Sequence, residues 1–165
     1  MKPSVDVAVL AALFGQVYAV LPHERYLIQS VENEYFLQVG GHYLNGDDEF
    51  VPESKLIREG FNFDRTDSKY GDIYRVRVFR PHLDGSTTFP PYIDCYPPKN
   101  GTVCHTTIDI NSSLSVELIN LDGQYVFSDP ESGLVLRNAN NVLVLSFPTG
   151  GKDERFLLEK SPFLA

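Results

Sequence analysis

The chain has no tryptophan, two cysteines and four histidines in 165 residues. His23, His42, His82 and His105 are scattered and form no His-x-His or His-Glu-x-x-His spacing, and Cys95 and Cys104 form no Cys-x-x-Cys pair. A structural or catalytic metal site needs ligands at such spacings, so no metal is expected. The sequence also lacks a Gly-x-Ser-x-Gly elbow and a glycine-rich loop opening a helix, the signatures of acyl-transfer and phosphate-cradling sites. Basic residues are few. Fourteen Lys and Arg face 22 Asp and Glu, giving a net charge of −8 and a pI near 4.9. That surface repels phosphate backbones and anionic bilayers, so neither nucleic acid nor membrane is an expected partner. The acidic run Asp47-Asp48-Glu49 reads as a solvated loop tip rather than a calcium or acid/base site. No enzyme constellation emerges, and neither a catalytic residue nor a cofactor is expected.

What is present begins with a secretory pattern. Lys2 supplies a basic start, residues 7–14 an apolar core, and Val17-Tyr18-Ala19 a small-residue cleavage site. The apolar run falls well short of the ~20 residues that span a bilayer. The expectation is a signal peptide over 1–19, followed by one domain over 20–165, secreted and extracellular. Hydrophobic residues at 42% and charged residues at 22% suit one compact domain. Cys95 and Cys104 flank a Pro/Gly-rich loop, as a small disulfide-closed loop would in an exported chain. Asn100-Gly101-Thr102 and Asn111-Ser112-Ser113 are acceptor triplets, so Asn100 and Asn111 are candidate glycosylation sites.

Past residue 24 the periodicity is that of strands. Tyr35-Phe36-Leu37-Gln38-Val39, the run from Ile73 to Phe79, and Ile108-Asp109-Ile110 are β-branched or aromatic stretches, separated by turn clusters such as Asp84-Gly85-Ser86 and Asp129-Pro130-Glu131-Ser132-Gly133. Tyr74, Val76 and Val78 alternate with more polar neighbours, a half-buried strand. No sustained helical stripe appears, so the class is all-β. Three stretches also open alike, at Tyr26, Tyr74 and Tyr125, about 48 and 51 residues apart. Each leads to a later apolar strand at Phe61-Asn62-Phe63, Val116-Glu117-Leu118 or Phe156-Leu157-Leu158. A shift of 99 positions lays Tyr26-Leu27-Ile28 on Tyr125-Val126-Phe127, Tyr35-Phe36-Leu37-Gln38 on Leu134-Val135-Leu136-Arg137, and Tyr43-Leu44 on Val142-Leu143. The middle unit keeps its first and last strands but carries a Pro-rich excursion, residues 81–107.

Three four-strand units, spanning about 25–70, 73–122 and 124–160, resemble a β-trefoil. The resemblance implies three hairpin pairs closing a barrel and three capping it, with function carried by loops. Two activities follow from it. The ricin-type lectins carry a Gln-x-Trp motif in each repeat, which a chain without tryptophan does not reproduce. Tyr43, Tyr70, Tyr92 and Tyr96 remain as aromatic surfaces on which a sugar could stack. The low cysteine count is closer to the small secreted trefoil protease inhibitors of fungi than to the plant Kunitz type. Here two Pro-Pro pairs and a Cys95–Cys104 bridge would hold Tyr96, Pro97, Pro98, Lys99 and Asn100 in a rigid inhibitory loop, with Lys99 suited to an acidic specificity pocket. The leading expectation is therefore a monomeric secreted inhibitor of a protease, or a binder of another extracellular protein. The alternatives are a glycan-binding lectin and a small secreted effector.

Overall fold

The computed structural model describes residues 17–18, 20–40, 47–51, 60–66, 72–79 and 92–161. Thirteen strands join in one sheet, and a 3-10 turn at Lys152–Glu154 is the one helical element among the described residues. Strand β1 is Val17–Tyr18. The first unit contains β2 (Arg25–Ser30), β3 (Phe36–Gly40), β4 (Asp47–Val51) and β5 (Gly60–Thr66). The second contains β6 (Ile73–Phe79), β7 (Tyr92–Asp94), β8 (His105–Thr107) and β9 (Ser115–Leu121). The third contains β10 (Gln124–Ser128), β11 (Val135–Ala139), β12 (Val142–Ser146) and β13 (Phe156–Lys160).

The first and last strands of the units close a ring. Antiparallel pairing runs from β2 to β5, β6, β9, β10, β13 and back to β2. The middle strands form the hairpins β3–β4, β7–β8 and β11–β12. These hairpins meet one another through β4–β12, β4–β8 and a bridge between Val103 and Val144, so they cap one end of the barrel. Closing the ring satisfies backbone groups that an open sheet would leave at its edges. This is the β-trefoil that the three units resembled, with four strands in each.

The core follows from the alternation. On β6, Tyr74, Val76 and Val78 are buried while Ile73, Arg75, Arg77 and Phe79 are half-exposed. Phe61 and Phe63 on β5, Val116 and Leu118 on β9, Phe127 on β10 and Phe156 on β13 also turn inward. Phe63 stacks on Phe127 at 5.9 Å between ring centroids, and Tyr26 and Tyr74 pack edge-on to Phe63 at 5.8 and 6.1 Å. The tyrosines that mark the start of the first two units are thus core residues whose hydroxyls reach the barrel end. The Tyr26 hydroxyl donates to the Pro22 carbonyl at 3.2 Å, and the Tyr74 hydroxyl accepts the Leu21 N–H at 3.1 Å.

The 99-residue offset extends to the backbone. Ser30 N–H donates to the Tyr35 carbonyl, and Asp129 N–H donates to the Leu134 carbonyl. Glu34 N–H donates to Ser30, and Gly133 N–H donates to Asp129. Glu34 and Gly133 share the left-handed conformation, with φ of 63° and 70°. Two-residue turns with positive φ at both positions join β9 to β10 (Asp122-Gly123) and β11 to β12 (Asn140-Asn141), the geometry that matches strand twist in a tight hairpin.

Two expectations are corrected. Asp47-Asp48-Glu49 is not a loop tip: it lies in β4, with Asp48 opposite Val39 and Glu49 opposite Gln38. Pairing within the cap hairpin overrides the low strand preference of acids. Ile108-Asp109-Ile110 is not a strand. Thr107 Oγ1 accepts the Asp109 N–H and Asp109 Oδ1 accepts the Asn111 N–H, so local side-chain bonds turn the chain after Thr107 and leave Ile108 and Ile110 exposed. Tyr43-Leu44, Tyr70, His42, His82 and residues 81–91 lie outside the described residues. Residues 1–16 do as well, while Val17 and Tyr18, within the expected signal peptide, pair with Asn120 and Ile119 of β9.

Candidate functional site

The Pro-rich excursion ends in a loop closed by a Cys95–Cys104 disulfide, with both cysteines buried at 2% and 0% exposure. The expected bridge is present. Between them Tyr96, Pro97, Pro98, Lys99 and Asn100 are all exposed, Tyr96 at 74%. Asp94 Oδ1 accepts the Tyr96 N–H at 2.9 Å where the loop leaves β7. Burial raises the Asp94 carboxyl above its ordinary range, a rise supported by Asp109 and opposed by the Tyr96 N–H and by His105. At the tip, Lys99 N–H donates to the Pro97 carbonyl and Thr102 N–H to the Lys99 carbonyl, while Thr102 Oγ1 donates to Pro97 at 2.6 Å. Gly101, with φ of 86°, supplies the conformation this turn requires. Lys99 therefore starts a tight turn rather than projecting from an extended segment.

The loop is sewn to the third unit. Gly101 N–H donates to Leu145, Leu145 N–H to Thr102, and Cys104 N–H to Leu143. Asn100 Oδ1 accepts the Phe147 N–H at 3.2 Å. The excursion thereby becomes one wall of an open groove of about 640 Å³. Its other walls come from Glu32 and Asn33 in the first unit and from the β11–β12 hairpin, Ser146 and Asp153 in the third.

The groove is polar and largely preset. Asn138 is buried; its Nδ2 donates to Ser30 Oγ at 3.0 Å and its Oδ1 accepts the Asn141 N–H at 2.9 Å, which orients the Asn140-Asn141 turn. Asn33 Nδ2 donates to Asn141 Oδ1 at 2.8 Å, tying the first unit to the third. Arg137 Nε donates to Asp153 Oδ2 at 2.5 Å. Asp153 is held there because the next residue, Glu154, is buried and accepts bonds from Thr149 N–H, Thr149 Oγ1 and Gly150 N–H at 2.7 to 3.0 Å. Ser146 is among the lining residues, but its Oγ is buried beneath the surface and has no hydrogen-bond partner. An array of amides and paired charges can exchange hydrogen bonds with a polar ligand. Among the described residues there is no group of three or more His, Cys, Asp or Glu side chains able to hold a metal, and no helix long and apolar enough to cross a membrane.

Of the residues singled out from sequence, the structure brings only Asn100 into this groove, and it does so together with Gly101. Asn111 sits on a separate exposed loop, and Tyr92 is half-exposed on β7. Sequence reasoning missed Glu32, Asn33, Arg137, Asn138, Asn140, Asn141, Ser146 and Asp153. One signal was available for part of this set: Arg137-Asn138-Ala139-Asn140-Asn141 packs three asparagines into five positions between apolar strands.

No protein-family model and no curated protein sequence matches the chain. Among solved structures it is similar to the designed 3-fold symmetric protein ThreeFoil, with a TM-score of 0.63, 14% identity, and coverage of 83% of this chain and 99% of that one. It is also similar to the agglutinin of Rhizoctonia solani, with a TM-score of 0.67, 9% identity, and coverage of 87% and 99%. At those identities the likeness establishes the fold.

Proposed function

We propose that this β-trefoil is a non-enzymatic binding protein that recognises a glycan in the groove formed by its three units. The observation that carries the reading is the lining: five asparagines and a paired arginine converge on one cavity, beside the apolar Ala139 and Val144. Sugar hydroxyls both donate and accept, and fixed carboxamides match that pattern without reorganising. The likeness in fold to the Rhizoctonia solani agglutinin supports it. Binding of the purified chain to a glycan array, followed by titration with the strongest member, tests it. Asn100→Ala and Asn141→Ala should each weaken binding by roughly tenfold, the effect of one hydrogen bond to a ligand. A blank array removes the reading.

A second reading is protease inhibition through the 96–103 loop. It is favoured by the exposed Tyr96 on a loop fixed by a disulfide and by backbone bonds to β12, since a preordered loop loses little entropy on docking. Inhibition of a serine or cysteine protease at micromolar concentration or tighter, weakened by Lys99→Ala or Tyr96→Ala, is its expected outcome. Silence across a broad protease panel eliminates it. In either case we propose export with removal of residues 1–19, which would also take away β1. Mass spectrometry of the secreted form reads the cleavage site and the occupancy of Asn100 and Asn111.

A further inference from the structure

We infer that the groove selects uncharged saccharides and rejects acidic ones, an inference that rests on the glycan reading above. Among the described residues the lining holds three ionisable side chains: Glu32, Arg137 and Asp153. Arg137 is the sole cation of these three, and its Nε is bonded to Asp153 Oδ2 at 2.5 Å. Its charge is therefore answered before any ligand arrives. Glu32 remains in excess, so the groove carries a net negative charge on a chain whose total is −8. A carboxylate or sulfate entering it meets repulsion at short range and an arginine whose charge Asp153 already compensates.

The neutral groups point the same way. Asn100 Oδ1 and Asn141 Oδ1 are occupied by the Phe147 N–H and Asn33 Nδ2, which aligns both carboxamides and leaves their Nδ2 groups as donors toward a ligand oxygen. Two oriented donors complement the oxygens of a neutral polyol.

The test sets matched neutral and acidic glycans, the latter sialylated, sulfated or uronate-containing, against the purified full chain. Binding should be confined to neutral members. Asp153→Asn, which releases Arg137, and Glu32→Lys, which changes an exposed position, should each admit acidic members that the parent rejects. Equal or stronger binding of acidic glycans to the parent, or continued rejection of them by both variants, overturns the inference while leaving glycan recognition intact. Failure to bind any glycan overturns the glycan reading itself.

Discussion

Replacing Glu34 by glycine should stabilise the protein, and the size of the gain can be worked from the third unit. Glu34 and Gly133 occupy equivalent positions 99 residues apart, each donating its N–H to the residue four before it. Both are left-handed, but only Gly133 is a residue without a Cβ penalty there. A left-handed L-residue costs about 1–2 kcal/mol, and the greater freedom of glycine in the unfolded chain gives back roughly 0.4–1 kcal/mol. The exposed Glu34 side chain leaves the conformational term to dominate. Glu34→Gly should therefore add about 0.5–1 kcal/mol, or roughly 1–4 °C in melting temperature for a domain of this size. Gly133→Ala is the reciprocal experiment. A Cβ at Gly133 meets nothing within 4 Å, so its cost of about 1 kcal/mol would be conformational rather than steric. Urea unfolding of both variants reads the two changes. A destabilised Glu34→Gly beside a neutral Gly133→Ala would refute the equivalence of the two turns.

Two further outcomes follow from the excursion. Replacing both Cys95 and Cys104 by serine releases a loop whose ends are 9 positions apart, which on chain-entropy grounds should cost about 2.5 kcal/mol. Denaturant unfolding compares the variant with the oxidised parent, and an unchanged midpoint counts against the loop as a fixed wall of the groove. Asp94→Asn tests the raised carboxyl. A group whose pKa is higher in the folded state stabilises fully below its unfolded value and loses that contribution as pH rises through the folded one, so the parent should weaken above about pH 4. The carboxamide of that variant would keep the oxygen that accepts the Tyr96 N–H but would not ionise. The stability difference between variant and parent should therefore widen in favour of the variant from about pH 4 upward and then level off. A difference independent of pH argues against burial as the cause.

The fold was legible because its symmetry is written in strand spacing. The shift that lays Tyr26 on Tyr125 and Phe36 on Val135 is a property of the linear chain, and it survives into equivalent hydrogen bonds at Ser30 and Asp129. Asp122-Gly123 has the composition of a tight hairpin turn, and Asn140-Asn141 carries the same geometry with a residue pair that also tolerates it readily. Elements that depend on partners were less readable. β4 is acid-rich and becomes a strand because β3, β8 and β12 supply its ladder. Ile108-Asp109-Ile110 has the right alternation and still turns, because Asp109 and Thr107 bond to nearby backbone N–H groups.

The groove was harder still, since no local period records which side chains a closed barrel brings together. Asn33 and Asn141 are 108 positions apart and hydrogen-bonded, and Asn100 meets Phe147 across 47. Asn100 drew attention as the end of a rigid loop and as a glycosylation acceptor, yet its place in the structure is the seam between the second and third units. The two roles bear on each other. Asn100 Oδ1 is occupied by the Phe147 N–H, while its Nδ2, the atom to which a glycan would be attached, belongs to a residue that lines the groove. A glycan on Asn100 would compete with an incoming ligand, so protein made with Asn100 occupied should bind more weakly than protein made without it, and Asn111, on another loop, should make no difference. Comparing the two preparations on the same array separates these positions: equal binding would place the ligand away from Asn100.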